Sequence, residues 1–391
     1  MQKTMSNIWA GEPKHYSSDR EGFSNPGIYT FAGNTLGAFI REMIQNSLDA
    51  GEGIDADTVS IRITKKLITK ADFPLYDDWF SIVRASANEH PNSTDGAAIL
   101  RGIEDDLNKY NGAIPVLLYE DFNTPGLSGD HDGEGTFNAL VRSKGTSDHG
   151  DLQSPGGSFG IGKSAAWSMS KARTVIFSSR HADHGVILQG IAELASHTIG
   201  NQLHGAKVYF GQNDEQCSSI RVFDDTFSTF TRQENGLSQF VMFPHLESAE
   251  SGWKSDMAET ILRNYWPAIQ NEALEIELID ETKSEDSPIA INFNRLQGLL
   301  LEHFNPETYK EERGIKPMGN PLDFWQAYIT GQSIDPYIKN LGRVSVKVSI
   351  KDSCTTRGIC YIRRGMVIDI NRKKMYGYGD MQYCATVECL D

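Results

Sequence analysis

Cysteine is scarce: five in 391 residues, at positions 217, 354, 360, 384 and 389, with no CxxC pair among them. An odd count without paired spacing argues against a disulfide framework and against a zinc ribbon. No apolar run approaches the ~18 residues that cross a bilayer. The first stretch, MQKTMSNIWAGEPKHYSSDREG, lacks the apolar centre of a secretory signal. The sequence therefore reads as a soluble, reducing, cytoplasmic protein without a membrane partner. Positive charge is also short, with 37 Lys and Arg against 52 Asp and Glu, a formal charge of −15. That argues against general adhesion to nucleic acid or to an anionic surface, and leaves room for one local basic groove. What the chain does have is 39% hydrophobic residues, 36 glycines and 14 prolines. This composition suits a mixed α/β protein of about two or three domains.

Residues 1–30 are polar, carry little periodic signal and read as an arm or strap. Asn34 and Thr35 offer capping oxygens before LGAFIREMIQNSLDAG, an amphipathic helix pattern stopped by Gly51. TVSIRIT alternates as a strand, 65–112 mixes helical and polar stretches, and AIPVLLYED is a buried strand ending in acid. Residues 122–162 hold ten of the 36 glycines and read as loop. A short helix at 164–171 and strands at 174–180 and 186–194 follow, then AKVYFG and QFVMFP. A polar hinge at 245–252 opens a second α/β segment. It includes RVSVKVSI, GICYIRRGMVI (358–368) and YCATVECL.

Three clusters carry chemistry. Glu42, Asn46 and Asp49 stand at i, i+4 and i+7 on the first helix, a stripe roughly 60° wide beside its apolar arc. A carboxylate that orients water and an amide oxygen that ligates magnesium suit such a stripe. An ordinary solvated helix face has the same spacing. Asp121 ends an apolar strand, where a carboxylate can accept from an adenine amino group, and Gly126 and Gly129 allow close approach. A strand-terminating acid in a turn has the same appearance. The third cluster is GGSFGIGKS, 156–164, whose glycine N–H groups can cradle phosphate ahead of a helix. GSFGIGKS also fits GxxxxGK[ST], which makes Lys163 a β/γ-phosphate ligand and Ser164 a magnesium ligand. That pattern needs a buried strand before it. Here SDHGDLQSP is polar and broken by proline, and the acid-ended strand precedes the loop.

Taken in order, RE-x₃-N-x₂-DA, YED with its glycines and GGSFGIGK, the chain resembles the GHKL ATPases, the superfamily of gyrase B, the large heat-shock chaperones, histidine kinases and MutL. The resemblance is firm over roughly 31–195. It implies a Bergerat-type two-layer α/β sandwich over 31–245, with an ATP lid near 122–156. A transducer-like α/β domain follows over 246–391, where YIRRGMVID looks like the transducer strand of MutL and chaperone relatives. By the same resemblance, Glu42 is the general base, Asn46 the magnesium ligand and Asp49 a supporting residue near the nucleotide. Asp121 reads adenine, Gly157, Gly160 and Gly162 form the phosphate box, and Lys163 reaches the phosphates. The implied cofactors are ATP and Mg²⁺. The implied behaviour is slow hydrolysis driving a nucleotide-gated homodimer clamp through the arm and lid. Its client is a protein or DNA, in bacterial antiviral defence or repair. The alternatives are a P-loop NTPase or kinase, and a nucleotide-binding module without turnover.

The chain departs from the family pattern in three places. Asn123 stands where the second motif usually has its first glycine, and Gly126 is displaced by one. Gly236-Leu237-Ser238 replaces a Gly-Thr pair. YCATVECL runs into Asp391, where MutL relatives carry a phosphate-sensing base just beyond. Either Arg363, Arg364, Lys373 or Lys374 takes that role or the natural chain continues; the second is the reading favoured here.

Overall fold

The computed structural model describes residues 7–14, 19–52, 58–129, 135–142, 162–222, 227–246, 252–305, 319–340, 342–350, 357–371 and 383–390. The chain divides into two units, residues 1–249 with 278–288, and residues 250–277 with 289–391. Residues 278–288, read from sequence as part of the second domain, belong with the first unit.

The first unit begins with β1 (Asn7–Pro13), α1 (Pro26–Phe31), α2 (Thr35–Gly51), β2 (Val59–Ile68), α3 (Tyr76–Glu89), α4 (Thr94–Lys109) and β3 (Ile114–Phe122). It continues with α5 (Thr136–Val141), α6 (Ser164–Ser168), β4 (Thr174–His181), β5 (Gly185–Glu193), β6 (His197–Ile199), β7 (Gln202–Gln212), β8 (Ile220–Val222) and β9 (Gly236–Met242). α2 starts where the Asn34 side chain accepts from the Gly37 N–H at 3.0 Å. It buries Phe39, Ile40, Met43 and Ile44. The sheet order is β1-β7-β5-β4-β9-β3-β2. Every pairing among β1 to β9 is antiparallel.

Alternate residues of a strand face opposite sides of a sheet. The cross-strand partners Ile63, Tyr119, Gln239 and Phe177 share one face, and Thr64, Leu118, Phe240 and Ile176 share the other. On the first face lies α2, whose Phe39 meets Tyr119 edge-on, and α6, whose Trp167 packs on Phe177. On the second face α3 and α4 bring Trp79, Ile82, Ile99 and Ile103 into one cluster with Leu118, Ile176 and Phe240. Helices thus pack on both faces, a layer more than the two-layer expectation, because 65–112 supplies two helices with apolar stripes of their own.

The N-terminal segment also differs from its reading as a polar arm. Residues 7–13 are the edge strand β1, antiparallel to β7. Trp9 is buried between Phe73 and Phe210, and its indole N–H donates to the Pro74 carbonyl at 2.7 Å. One large apolar residue on a short strand leaves no periodic signal, yet it anchors the segment.

The second unit contains α7 (Trp253–Gln270), then β10 (Leu274–Asp280), within which the chain crosses to the first unit. It resumes with β11 (Ile289–Ile291), α8 (Phe293–Phe304), α9 (Pro321–Thr330), β12 (Gln332–Ile334), β13 (Tyr337–Ile338), β14 (Gly342–Ile350), β15 (Gly358–Arg363), β16 (Met366–Asn371) and β17 (Tyr383–Cys389). Its sheet runs β12-β14-β17-β15-β16, with β15 parallel to β17. The sequence reads 358–368 as one strand, but it is a hairpin. Arg364 and Gly365 form its two-residue turn at φ 47° and 71°. Positive φ at both positions is what such a turn requires. Among the described residues, no helix is long and apolar enough to cross a membrane.

Candidate functional site

α2 is the element on which the candidate residues converge. Glu42 is half-buried, and burial raises its carboxyl pKa above the ordinary glutamate value, against the opposing charge of Arg41. The backbone at Gly162 lies directly against that carboxylate. A methyl group at Gly162 would stand 1.9 Å from Glu42 Oε2. Gly162 therefore has a concrete reason to be glycine, close approach rather than backbone angle. Asn46 and Asp49 are exposed on the same helix. Asp49 Oδ1 accepts from Gln45 Nε2 at 2.7 Å, one helical turn back.

The buried link from α2 to the sheet is made by a residue the sequence reading passed over. Ser47, 2% exposed, donates to Asp121 Oδ2 at 2.9 Å. Its Oγ lies 2.8 Å from the Tyr119 hydroxyl, which also reaches the Met43 carbonyl at 3.0 Å. A carboxylate only accepts, so the single Ser47 proton goes to Asp121 and Ser47 accepts from Tyr119 when that hydroxyl turns toward it. On the other oxygen, Asp121 Oδ1 accepts from Thr124 Oγ1 at 2.7 Å and from the Leu237 N–H at 2.8 Å. Three donors occupy a carboxylate with about four acceptor positions, which leaves one on Oδ2. Asp121 itself is 4% exposed.

The turn after β3 explains one departure from the family pattern. Asn123 takes φ 59°, the left-handed region that glycine enters freely and asparagine tolerates. Its side chain donates to the Thr58 carbonyl at 2.9 Å. Gly126 follows at φ 76°, where a Cβ would meet the Arg180 carbonyl at 2.1 Å. The second departure has a different outcome. Ser238 points to the opposite face, accepting from Arg232 at 2.9 Å and donating to Glu120 at 3.2 Å. The contact to Asp121 from this strand comes from the Leu237 backbone instead. Arg232, also missed from sequence, is 5% exposed and donates to the carbonyls of Asp121, Asn235 and Leu237. It ties the end of β3 to the start of β9.

At the glycine-rich segment, Gly162, Lys163 and Ser164 are described, while Gly157 and Gly160 lie outside the described residues. Lys163 Nζ donates to the Ala139 carbonyl of α5 at 3.2 Å. Ser164 begins α6 beside α1; a Cβ at Gly27 would lie 2.5 Å from its hydroxyl. Among the described residues, no group of three or more His, Cys, Asp or Glu side chains is placed to hold a metal ion.

No protein-family model matches this chain, and no curated protein matches it. Two cavities in the first unit lie elsewhere. One of about 650 Å³ lies between α3 and α4 and is lined by Phe80, Arg84, Leu100 and Leu107. A second, of about 270 Å³, opens on the sheet face opposite α2. Neither is lined by Glu42, Asn46 or Asp121.

Proposed function

We propose that this chain binds ATP with magnesium and hydrolyses it slowly, as a GHKL-type ATPase. The observation that carries this reading is the meeting of three distant segments at α2. Glu42 touches the backbone of Gly162, and five residues on, Ser47 bonds Asp121. A helix in contact with both segments suits a nucleotide, with phosphates at one end and base at the other.

In this reading the remaining acceptor position on Asp121 Oδ2 takes the adenine amino group. Asn46, exposed on α2, offers a hard amide oxygen, and magnesium would supply neutralisation of phosphate charge. Glu42 holds and deprotonates the attacking water. Burial raises its pKa above the ordinary glutamate value, which makes it a stronger base. Lys163 and the N–H groups of the glycine-rich segment stabilise charge on the transferring phosphoryl group. The face formed by α2, α6 and the antiparallel sheet supports the Bergerat assignment, with α3 and α4 as an added layer. The second unit is then the transducer, and nucleotide gates a homodimer clamp on a protein or DNA client.

A P-loop enzyme requires its loop to emerge from a parallel strand. The antiparallel pairing of β1 to β9 weighs against that alternative. A binding module without turnover would have no use for a half-buried carboxylate beside the phosphate box. The test is ATP binding and phosphate release, measured separately for the parent and Glu42→Ala. Loss of a general base costs about 10²–10⁴-fold in turnover with binding retained. Unchanged turnover would sink the assignment.

A further inference from the structure

On the sheet face that α2 does not cover, β2 presents Arg62, Thr64 and Lys66 to the cavity of about 270 Å³. Glu120 of β3, Arg232 and Glu281 line it as well. Two of these groups have unmet bonding capacity. Thr64 is 3% exposed, and its hydroxyl has no hydrogen-bond partner among the described residues. The Lys66 ammonium lies over the Phe240 ring, 5.2 Å from its centre, and makes no ion pair within 4.0 Å among the described residues. Burial draws the Lys66 pKa down, opposed by the more distant charges of Glu281, Glu120 and Asp72. Lys66 is half-buried with its ammonium over the Phe240 ring, and Thr64 lines the same cavity. An anion between them would give each a charge-assisted hydrogen bond.

The cavity is lined by two carboxylates, Glu120 and Glu281, and by Arg62, Lys66 and Arg232, the last giving all five N–H groups to protein oxygens. Of the carboxylates, Glu120 already accepts from Ser238 at 3.2 Å and lies 3.9 Å from Arg232. Size narrows the ligand. At about 30 Å³ per water the space holds roughly nine waters, below the range of about 300–1,000 Å³ for sites of drug-sized molecules. We propose that this cavity is a binding site for a compact oxyanion, a phosphate or a small carboxylate, held by the Lys66 ammonium and the Thr64 hydroxyl with Arg62 and Arg232 around it. The site stands apart from the ATP reading, because Glu120 and Asp121 point to opposite faces of β3.

The test titrates inorganic phosphate and malonate, separately, into the parent chain, Lys66→Met and Thr64→Val. Calorimetry reads binding, and circular dichroism with thermal unfolding checks the fold. Methionine keeps the apolar stem over Phe240, and valine keeps the shape of threonine. The parent should bind at least one anion saturably at one site. Lys66→Met should weaken it by about tenfold or more, and Thr64→Val by several-fold. Binding of phosphate alone assigns a phosphoryl ligand, and of malonate alone a carboxylate. No saturable binding of either anion to the parent overturns the proposal. So does parental affinity in Thr64→Val together with parental affinity, or failure to fold, in Lys66→Met.

Discussion

Gly162→Ala isolates the contact on which the functional reading turns. The added methyl would stand 1.9 Å from Glu42 Oε2, while ordinary contact begins at 3.4 Å, so the carboxylate must retreat by about 1.5 Å. The backbone at 162 is outside the left-handed region, so alanine brings no strain of its own. What yields is the far end of a flexible side chain. An off-rotamer turn costs about 0.5–1.5 kcal/mol, and replacing glycine by alanine returns about 0.4–1 kcal/mol by restricting the unfolded chain. Net stability should therefore stay within about 1 kcal/mol, a melting shift of about 2–4 °C for a domain of 150–250 residues. Catalysis is less forgiving. A catalytic group displaced by ~1 Å loses about 10²-fold, equivalent to about 2.7 kcal/mol in the barrier. The assay is steady-state phosphate release beside ATP affinity and thermal unfolding. Parental turnover in the folded variant would refute the role given to Glu42. A melting point lowered far beyond the expected shift would refute the claim that only the carboxylate moves.

Four other outcomes are expected. Turnover should rise with pH as Glu42 loses its proton, at higher pH than an ordinary glutamate, because burial raises its folded pKa. The same shift makes folding bind protons, so the stability linked to Glu42 is present at low pH and lost as pH rises through that folded value. Glu42→Gln should then gain stability over the parent at pH 7 relative to pH 4, and an equal difference at both, by thermal unfolding, contradicts it. Asp121→Asn presents an amide donor where Ser47 and the adenine amino group both donate, which should weaken ATP binding by about tenfold or more while leaving the chemical step nearly intact. Parental ATP affinity in that variant would make Asp121 a turn residue only. Glu42→Ala with magnesium and ATP should double in mass by light scattering relative to the nucleotide-free protein; a monomer in both conditions removes the clamp.

Local pattern made α2 readable from sequence. Asn34 caps it, Phe39, Ile40, Met43 and Ile44 recur at the helical period, and Glu42 falls beside that arc. The strands β3, β4, β5 and β9 were equally legible, because a run of apolar residues bounded by polar ones is itself the signature of a buried strand. Asp121 at the end of β3 followed from the same reasoning. Ser47 did not. Its role comes from a carboxylate 74 residues away, and a small polar residue in a helix has no local mark that distinguishes a partner from a spacer. The same holds for Arg232, which acts through carbonyls at Asp121 and Leu237.

Asn123 shows how chemistry can be right where a motif is not matched. Read as a departure, it takes a positive φ of the kind glycine enters freely, and asparagine is among the few residues that do so at low cost. Arg364 in its hairpin turn is the reverse case. Two apolar runs, ICYI and MVI, flank the polar RRG, and the chain reverses within that break.

The amino-acid sequence by itself determined which residues are apolar, at what period, and therefore the class of each long element and the side chains held at its edges. Tertiary structure alone decided which faces meet. It seated Trp9 and made the N-terminal stretch an edge strand, set α3 and α4 on the face opposite α2, returned residues 278–288 to the first unit and brought Gly162 against Glu42. The reason is physical. Periodicity records that a surface must leave water, and burial is non-directional, so the partner is chosen only when all such surfaces, and every buried donor and acceptor, are satisfied together.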